Sequence, residues 1–396
     1  MVFGRISLLF GVALATLAPL TSAHARSETA LYRFAGGNDG ADPYAGLIAD
    51  QIGNLFGTTF KGGGACKSRR GCGTVFKLAP DGSETVLYAF DGTKGGSGPT
   101  AGLTADKQGN LYGTTLAYYG NGTVFEVTPQ GVHSMLHRFT GGCDGSYASS
   151  GLIIDKHKNL FGTAEGSGSC NNGIVFEVTS RGNFKVLYAF KGGSDGDGPA
   201  AALVFDAAGN LYGTTLAGGG TGCSNGVGCG TVFRLTPDGA ETVLYAFQGG
   251  DDGDYPGSNL ILDGAGNLIG TTSTGGGTGC EGYGCGTVFK IAPDGTETIL
   301  SDFNAAGGPA QPPAGVVMDK KGNLFGTTFY GGASGCGTVY KVALGQSATA
   351  IYSFTCGSDG AYPDAGLLQG HNGDLYGTTG SGGNKRGYGT VFDLQK

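Results

Sequence analysis

The sequence predicts an all-β fold: a seven-bladed β-propeller of four-stranded antiparallel blades, closed by the N-terminal strand joining the last blade. Three observations carry this expectation. The phrase Asn-Leu-aromatic-Gly-Thr-Thr starts at Asn54, Asn110, Asn159, Asn210, Asn267 and Asn323, and in variant form at Asp374. Successive starts lie 49 to 57 residues apart, a period that belongs to propellers and arrays. Each copy then reads as four short runs rich in Val, Leu, Thr, Tyr and Phe and bounded by Gly, Asp and Pro, which is strand-and-turn grammar. Finally, the two chain ends are out of phase. After residue 25 the chain opens on a fourth-type strand, Glu28–Phe34, and it closes on a third-type strand, Gly389–Leu394. Joining the two completes the last blade and hides both sheet edges, which otherwise invite aggregation.

In chain order, residues 1–25 read as a signal peptide. Arg5 precedes an apolar run from Ile6 to Leu20, and Ala23-His24-Ala25 is a small-residue cleavage signature. The run is short for a bilayer span. The remainder, 26–396, is expected to form one propeller domain of seven repeats of about 53 residues. In the first repeat the expected strands are Gly46–Asp50, Asn54–Thr59, Gly73–Leu78 and Glu84–Phe90. Asp50 with Gly53, and Pro80-Asp81-Gly82, make the intervening turns: Asp binds backbone N–H groups two residues on, and Gly supplies positive φ. Every fourth strand ends in Phe, from Phe34 to Phe354. The third strands carry Phe76, Phe125, Phe176, Phe233, Phe289, Tyr340 and Phe392. These rings are expected to pack between blades, each contributing ~1.5–3 kcal/mol. Copy three ends in Ala164 instead of the second Thr, and copy five has Ile269 in the aromatic place.

Glycine supplies 83 of 396 residues without a Gly-X-Y period, which excludes collagen. The net charge of −7 comes without a charge run, so no nucleic-acid partner is expected. No later segment resembles a membrane span.

Two longer links fall on one face. The inter-blade link keeps thirteen positions from the strand-four Phe to the next Leu or Val, as in Phe34 to Leu47. The loop between strands two and three varies from 6 to 14 residues. Variable loops on a rigid scaffold are where binding tends to reside, so this face is the expected binding face. Its candidate contacts are Arg69, Arg70, Tyr118, Tyr119, Glu165, Asn225, Glu281, Tyr283, Tyr330 and Arg386. All ten cysteines lie in these two loop classes. Behind a secretion signal they read as disulfides: Cys66–Cys72, Cys143–Cys170, Cys223–Cys229, Cys280–Cys285 and Cys336–Cys356.

Five links carry Asp-Gly at one place: Asp39, Asp144, Asp195, Asp252 and Asp359. No cofactor is expected. Calcium is the one weak candidate, at Asp195 with Asp197 or at Asp251, Asp252 and Asp254, but the spacing lacks a full set of oxygen ligands. Each Asp otherwise holds its own turn. No Gly-x-Ser-x-Gly elbow and no phosphate loop is present, and the four histidines after residue 25 do not cluster. Carboxylates such as Glu165 and Glu281 could meet across the axis for glycoside chemistry.

The phrase GNLYGTT…GCGTVFKL-x-PDG-x-ETVLYAF resembles the Gloeobacter/Verrucomicrobia-type tandem repeat of choice-of-anchor bacterial proteins, across seven copies. The resemblance implies a secreted bacterial repeat protein and supplies no catalytic residues. The grammar is also similar, more distantly, to NHL-type propellers. The expected function is a secreted, monomeric, non-catalytic binding propeller for an extracellular ligand, a glycan, peptide or protein. The alternatives are a lactonase, lyase or glycosidase with a site in the central funnel, and a structural envelope protein.

Overall fold

A computed structural model describes residues 26–396, except 65, 67–70, 94–95, 117–119, 167–171, 221, 224–225 and 304–307. Seven four-stranded antiparallel sheets follow one another round a ring. Blade one consists of Ile48–Ala49, Leu55–Thr59, Thr74–Leu78 and Glu84–Ala89, from the axis outward. Blade seven takes three strands from the C-terminus, Leu368–Gln369, Leu375–Thr379 and Thr390–Leu394, and its fourth from the N-terminus, Glu28–Arg33. Glu28 pairs with Leu394, Ala30 with Phe392 and Tyr32 with Val391, the register shifting at Leu31.

The recurrent phrase is explained residue by residue. Asn54 donates from Nδ2 and from its backbone N–H to the Asp50 carboxylate, at 2.6 and 2.9 Å, and so fixes the first turn. Leu55 is buried. Gly57 must lack a side chain, because a Cβ there would stand 2.7 Å from the Phe76 ring. Thr58 donates to the carbonyl of Ala101 in the next blade at 3.3 Å. Thr59 pairs with Thr74 of its own blade at 2.8 Å, both hydroxyls fully buried.

Copy three shows what that last pair requires. Ala164 replaces the first hydroxyl and Ile174 the second, and both are fully buried. A lone buried hydroxyl costs more than none, so the two positions change together.

The core lies in the seams. Each strand-four Phe meets the strand-three ring of the following blade edge-on, with centroids 5.0–5.4 Å apart in all seven seams, from Phe34–Phe76 to Phe354–Phe392. Edge-to-face pairs of this kind add to simple burial. Seven apolar clusters result, each drawing residues from two adjacent blades.

The innermost strands are shorter than the sequence predicts: only Ile48–Ala49 of Gly46–Asp50 pairs. Gly46, two residues before this strand, faces its counterparts around the axis. A Cβ on Gly46 would lie 3.2 Å from the Gly366 carbonyl, and one on Gly102 would lie 3.5 Å from that of Gly46. Blades four and five place Ala202 and Asn259 in this ring, and Asn259 Oδ1 accepts the Ala202 N–H at 2.8 Å. The Asn259 backbone carbonyl would lie 2.1 Å from a Cβ on Gly315, so that position tolerates only glycine. Among the described residues no helix is long and apolar enough to cross a membrane.

Candidate functional site

Links and variable loops do share one face. Short bridges tie five of the links to the loop beginning beside them: Ala41 to Lys61, Asp197 to Ala217, Asp254 to Thr274, Ala310 to Tyr330 and Ala361 to Ser381. In every seam the link residue three places before Ala45 or its equivalent adopts positive φ: Asp42, Gly98, Tyr147, Gly198, Tyr255, Gln311 and Tyr362. Its N–H donates to the end of the preceding blade's variable loop, as Tyr362 does to Cys336 O at 2.8 Å. Its carbonyl accepts from the residue after the following blade's second strand, as Tyr362 O does from Gly380 at 3.1 Å. The left-handed conformation costs a non-glycine residue roughly 1–2 kcal/mol. Two blades use glycine there, yet three place tyrosine, and Tyr147 and Tyr255 are 45% and 41% exposed.

The same bonds explain the cysteines. Cys72, Cys229, Cys285 and Cys336 occupy the loop-end position that accepts these N–H groups. The disulfides Cys66–Cys72, Cys223–Cys229, Cys280–Cys285 and Cys336–Cys356 form as the sequence predicts. Cys143 is disulfide-bonded too, and its expected partner Cys170 lies outside the described residues.

On this face two tiers of residues flank the axial ring and form its mouth. One tier, two residues before the axial ring, holds Tyr44, Thr100, Ser149, Ala200, Gly257, Pro313 and Asp364. The other, just after each second strand, holds Phe60, Leu116, Glu165, Leu216, Ser273, Phe329 and Gly380. The tiers are unevenly furnished. Through blades six, seven and one runs an aromatic arc. Phe329 stacks on Tyr362 with centroids 5.1 Å apart and meets Tyr330 edge-on at 4.8 Å. Tyr44 meets Phe60 edge-on at 5.5 Å and lies over Gly380, where a Cβ would stand 2.8 Å from its ring. Asp364 follows Tyr362 by two residues in the same link, and burial pushes its carboxyl up to about 6. Blade three instead brings Glu165, whose carboxylate accepts the Ser149 hydroxyl. Burial raises the Glu165 carboxyl, and the Ser149 bond opposes the rise.

Of the sequence-derived candidates, Tyr330 and Glu165 thus stand at the axial mouth. Glu281 and Tyr283 stand on the blade-five loop, in and beside the 3₁₀ turn Cys280–Gly282, with Tyr283 71% exposed. Arg386 lines a cavity of about 320 Å³ with Gly36, Asp42, Lys61 and Tyr388, where Lys61 and Asp42 form an ion pair. Arg69, Arg70, Tyr118, Tyr119 and Asn225 lie outside the described residues. Tyr44, Phe60, Phe329, Tyr362 and Asp364 were not singled out by sequence. Aligning the links would have isolated Tyr44 and Asp364, which replace small or hydroxylic residues.

The link carboxylates are engaged locally. Asp195 accepts from Tyr188 Oη and Lys191 N, both at 2.6 Å, and Asp252 accepts from Tyr245 Oη and Gln248 N, also at 2.6 Å. Asp197 and Asp254 instead sit in the bridges to the loops, and burial raises both carboxyls. Asp251 is exposed. Asp254 lies beside Cys223 and Cys229, but a disulfide offers no thiolate to a metal.

Two grooves lie on the opposite, tight-turn face. One of about 890 Å³ runs between blades three and four past Phe161 and Phe205, and one of about 660 Å³ runs between blades one and two past Phe56. They repeat at equivalent seams and are walled by hairpin turns, so they follow from the blade geometry itself. The furnishing of the axial mouth does not repeat, which makes it the better site.

Fold and site together define a closed seven-bladed propeller with a disulfide-bonded loop face and an aromatic, acidic axial mouth. The chain belongs to the Gloeobacter/Verrucomicrobia repeat family, whose model matches residues 16–153, 64–283 and 278–396. No curated protein matches it. Among solved structures it is similar to selenomethionine-substituted virginiamycin B lyase from Staphylococcus aureus, at 13% identity and a TM-score of 0.60 over 93% of this chain and 98% of that one. It is also similar to the extracellular domain of a putative one component system from B. thetaiotaomicron, at 9% identity and a TM-score of 0.59 over 92% of this chain and 40% of that one. At such identities the likeness is one of fold.

Proposed function

We propose that this chain is a secreted binding propeller that holds a small ligand, or one residue of a larger one, at the axial mouth of its loop face. The observation that carries this reading is the arc Tyr330–Phe329–Tyr362 and Tyr44–Phe60, which spans three blades, with the half-buried Asp364 two residues after Tyr362 in the same link. Concave aromatic surfaces with a few convergent polar groups are the usual form of ligand sites. The disulfides fit an oxidising, extracytoplasmic compartment, and one fold neighbour is an extracellular domain.

The other neighbour is a lyase, so the scaffold also supports catalysis. The histidines of this chain lie away from the mouth. His133 stacks on Tyr88 and His137 on Phe184 at blade seams, and His157 and His371 lie in turns of the opposite face.

The test is a screen of glycans, peptides and metabolites on residues 26–396, repeated with Tyr330→Ala, with Tyr362→Ala and with the blade-four loop 218–229 replaced by the short blade-two loop. Hits at the mouth lose affinity with either tyrosine variant and tolerate the loop exchange. Hits indifferent to both tyrosines place the ligand elsewhere.

A further inference from the structure

The mouth carries one charge that the ring does not need. Six blades place an uncharged residue where blade seven has Asp364, so a carboxylate there serves neither turn nor strand. The Asp364 carboxylate has no hydrogen-bond or ion-pair partner among the described residues, unlike the link aspartates, which are bonded to tyrosines and backbone N–H groups. The Asp364 side chain is half-buried, and a carboxylate partly withdrawn from water gains from a positive or donor group that meets it. Tyr362, two residues before Asp364, stacks on Phe329, and the Tyr44 ring lies against Gly380 beside the Tyr362 carbonyl, so their rings offer electron-rich faces on this link.

Resting on the reading of the mouth as a binding site, we propose that its ligand bears an organic cation, a primary amine or quaternary ammonium, with Asp364 as counter-ion and Tyr362, Phe329 and Tyr44 as its wall. Aromatic faces attract such cations electrostatically, and more strongly where water is excluded. Glu165, a second half-buried acid in the same two tiers, adds to the negative potential, as does the net charge of −7. An anionic ligand would meet two carboxyl groups and no described cation in those tiers.

The test compares choline with its uncharged isostere 3,3-dimethylbutan-1-ol, with glucosamine against glucose as a second pair. Binding is measured by calorimetry and by the tyrosine emission of a chain that has no tryptophan. The expected result is that a cationic member binds and its neutral counterpart does not, with Kd in the ~mM range for such small probes. Asp364→Asn is expected to weaken the cation ~10-fold or more, while its melting temperature stays at the parent value. If neutral and cationic members bind alike and Tyr362→Ala weakens both, the site stands and the charge requirement is wrong. If neither cation binds at ~10 mM, the cation proposal is overturned. If ligands from the wider screen are indifferent to Tyr330→Ala and Tyr362→Ala, the site itself is wrong.

Discussion

Thr378, in the second strand of the last blade, donates its hydroxyl to the carbonyl of Ala45 in the first, 3.1 Å away and 333 residues apart in sequence. The same bond joins each other pair of neighbours, from Thr58 to Ala101 through Thr327 to Ala365. The seam that closes the ring is therefore chemically equivalent to the six within it. Thr378→Val and Thr114→Val are expected to destabilise the protein to the same extent, ~1–2 kcal/mol each, because each leaves a carbonyl without its partner. Urea unfolding measures both. A cost for Thr114→Val with none for Thr378→Val would mean that the closing seam is not built like the others.

The threonine pairs give a sharper test of packing. Thr59→Ala strands the buried Thr74 hydroxyl and is expected to cost ~1–3 kcal/mol. The double change Thr59→Ala with Thr74→Ile copies blade three, where Ala164 faces Ile174. It should recover most of that loss, appearing as a favourable coupling in a double-mutant cycle. Strict additivity would contradict the explanation given for blade three.

The axial ring makes a steric claim. Gly315→Ala places a methyl group against the Asn259 carbonyl at a separation that real atoms do not reach. A loss of ~1–3 kcal/mol or more is expected. Gly264→Ala, with open space around its Cβ position, is the control and should be near neutral. Equal stability of the two variants would show that the blades do not approach as closely as described.

Four seams carry an unusual acid pair. Glu84 lies beside Asp39, Glu241 beside Asp195, Glu297 beside Asp252 and Glu28 beside Asp359. Burial first, and the neighbouring Asp second, pushes each Glu up to about 7. The folded value lies above the unfolded one near 4.5, so the folded ring takes up protons between the two. The stabilisation is complete below the unfolded value and is lost as pH rises through about 7. These groups are only half buried, so each is worth on the order of 0.5–1 kcal/mol after screening. The melting temperature is expected to fall from pH 5 to pH 8, and replacing all four with Gln should flatten that slope. A slope unchanged in the quadruple variant would assign it to other groups.

Much of this molecule can be read from its text because a repeat states each rule seven times. The offset of Glu28–Phe34 against Gly389–Leu394 was enough to deduce closure, and the Phe rings were enough to deduce the seams. The pairing of Cys336 with Cys356 followed from loop membership alone. What the text hid were contacts between copies. Nothing in Gly-Thr-Thr says that its first Thr reaches into the next blade, because that neighbour is created only by the ring. The link aspartates were more accessible. Tyr32, Tyr188, Tyr245 and Tyr352 each precede their Asp by seven residues, a constant spacing that would have revealed the partnership. The mouth was the least legible part. Tyr362 acquires its place from a left-handed backbone, and Tyr44 from lying over a glycine 336 positions away, so of the arc only Tyr330 was anticipated.

The most direct measurement is hydrogen exchange of residues 26–396 with and without the first compound retained by the screen. The expected result is protection confined to peptides covering 42–61, 326–332 and 360–381, which carry the aromatic arc. Protection instead in peptides covering 154–161 and 205–211, along the groove of the tight-turn face, would place the ligand on the wrong side of the ring and contradict the assignment.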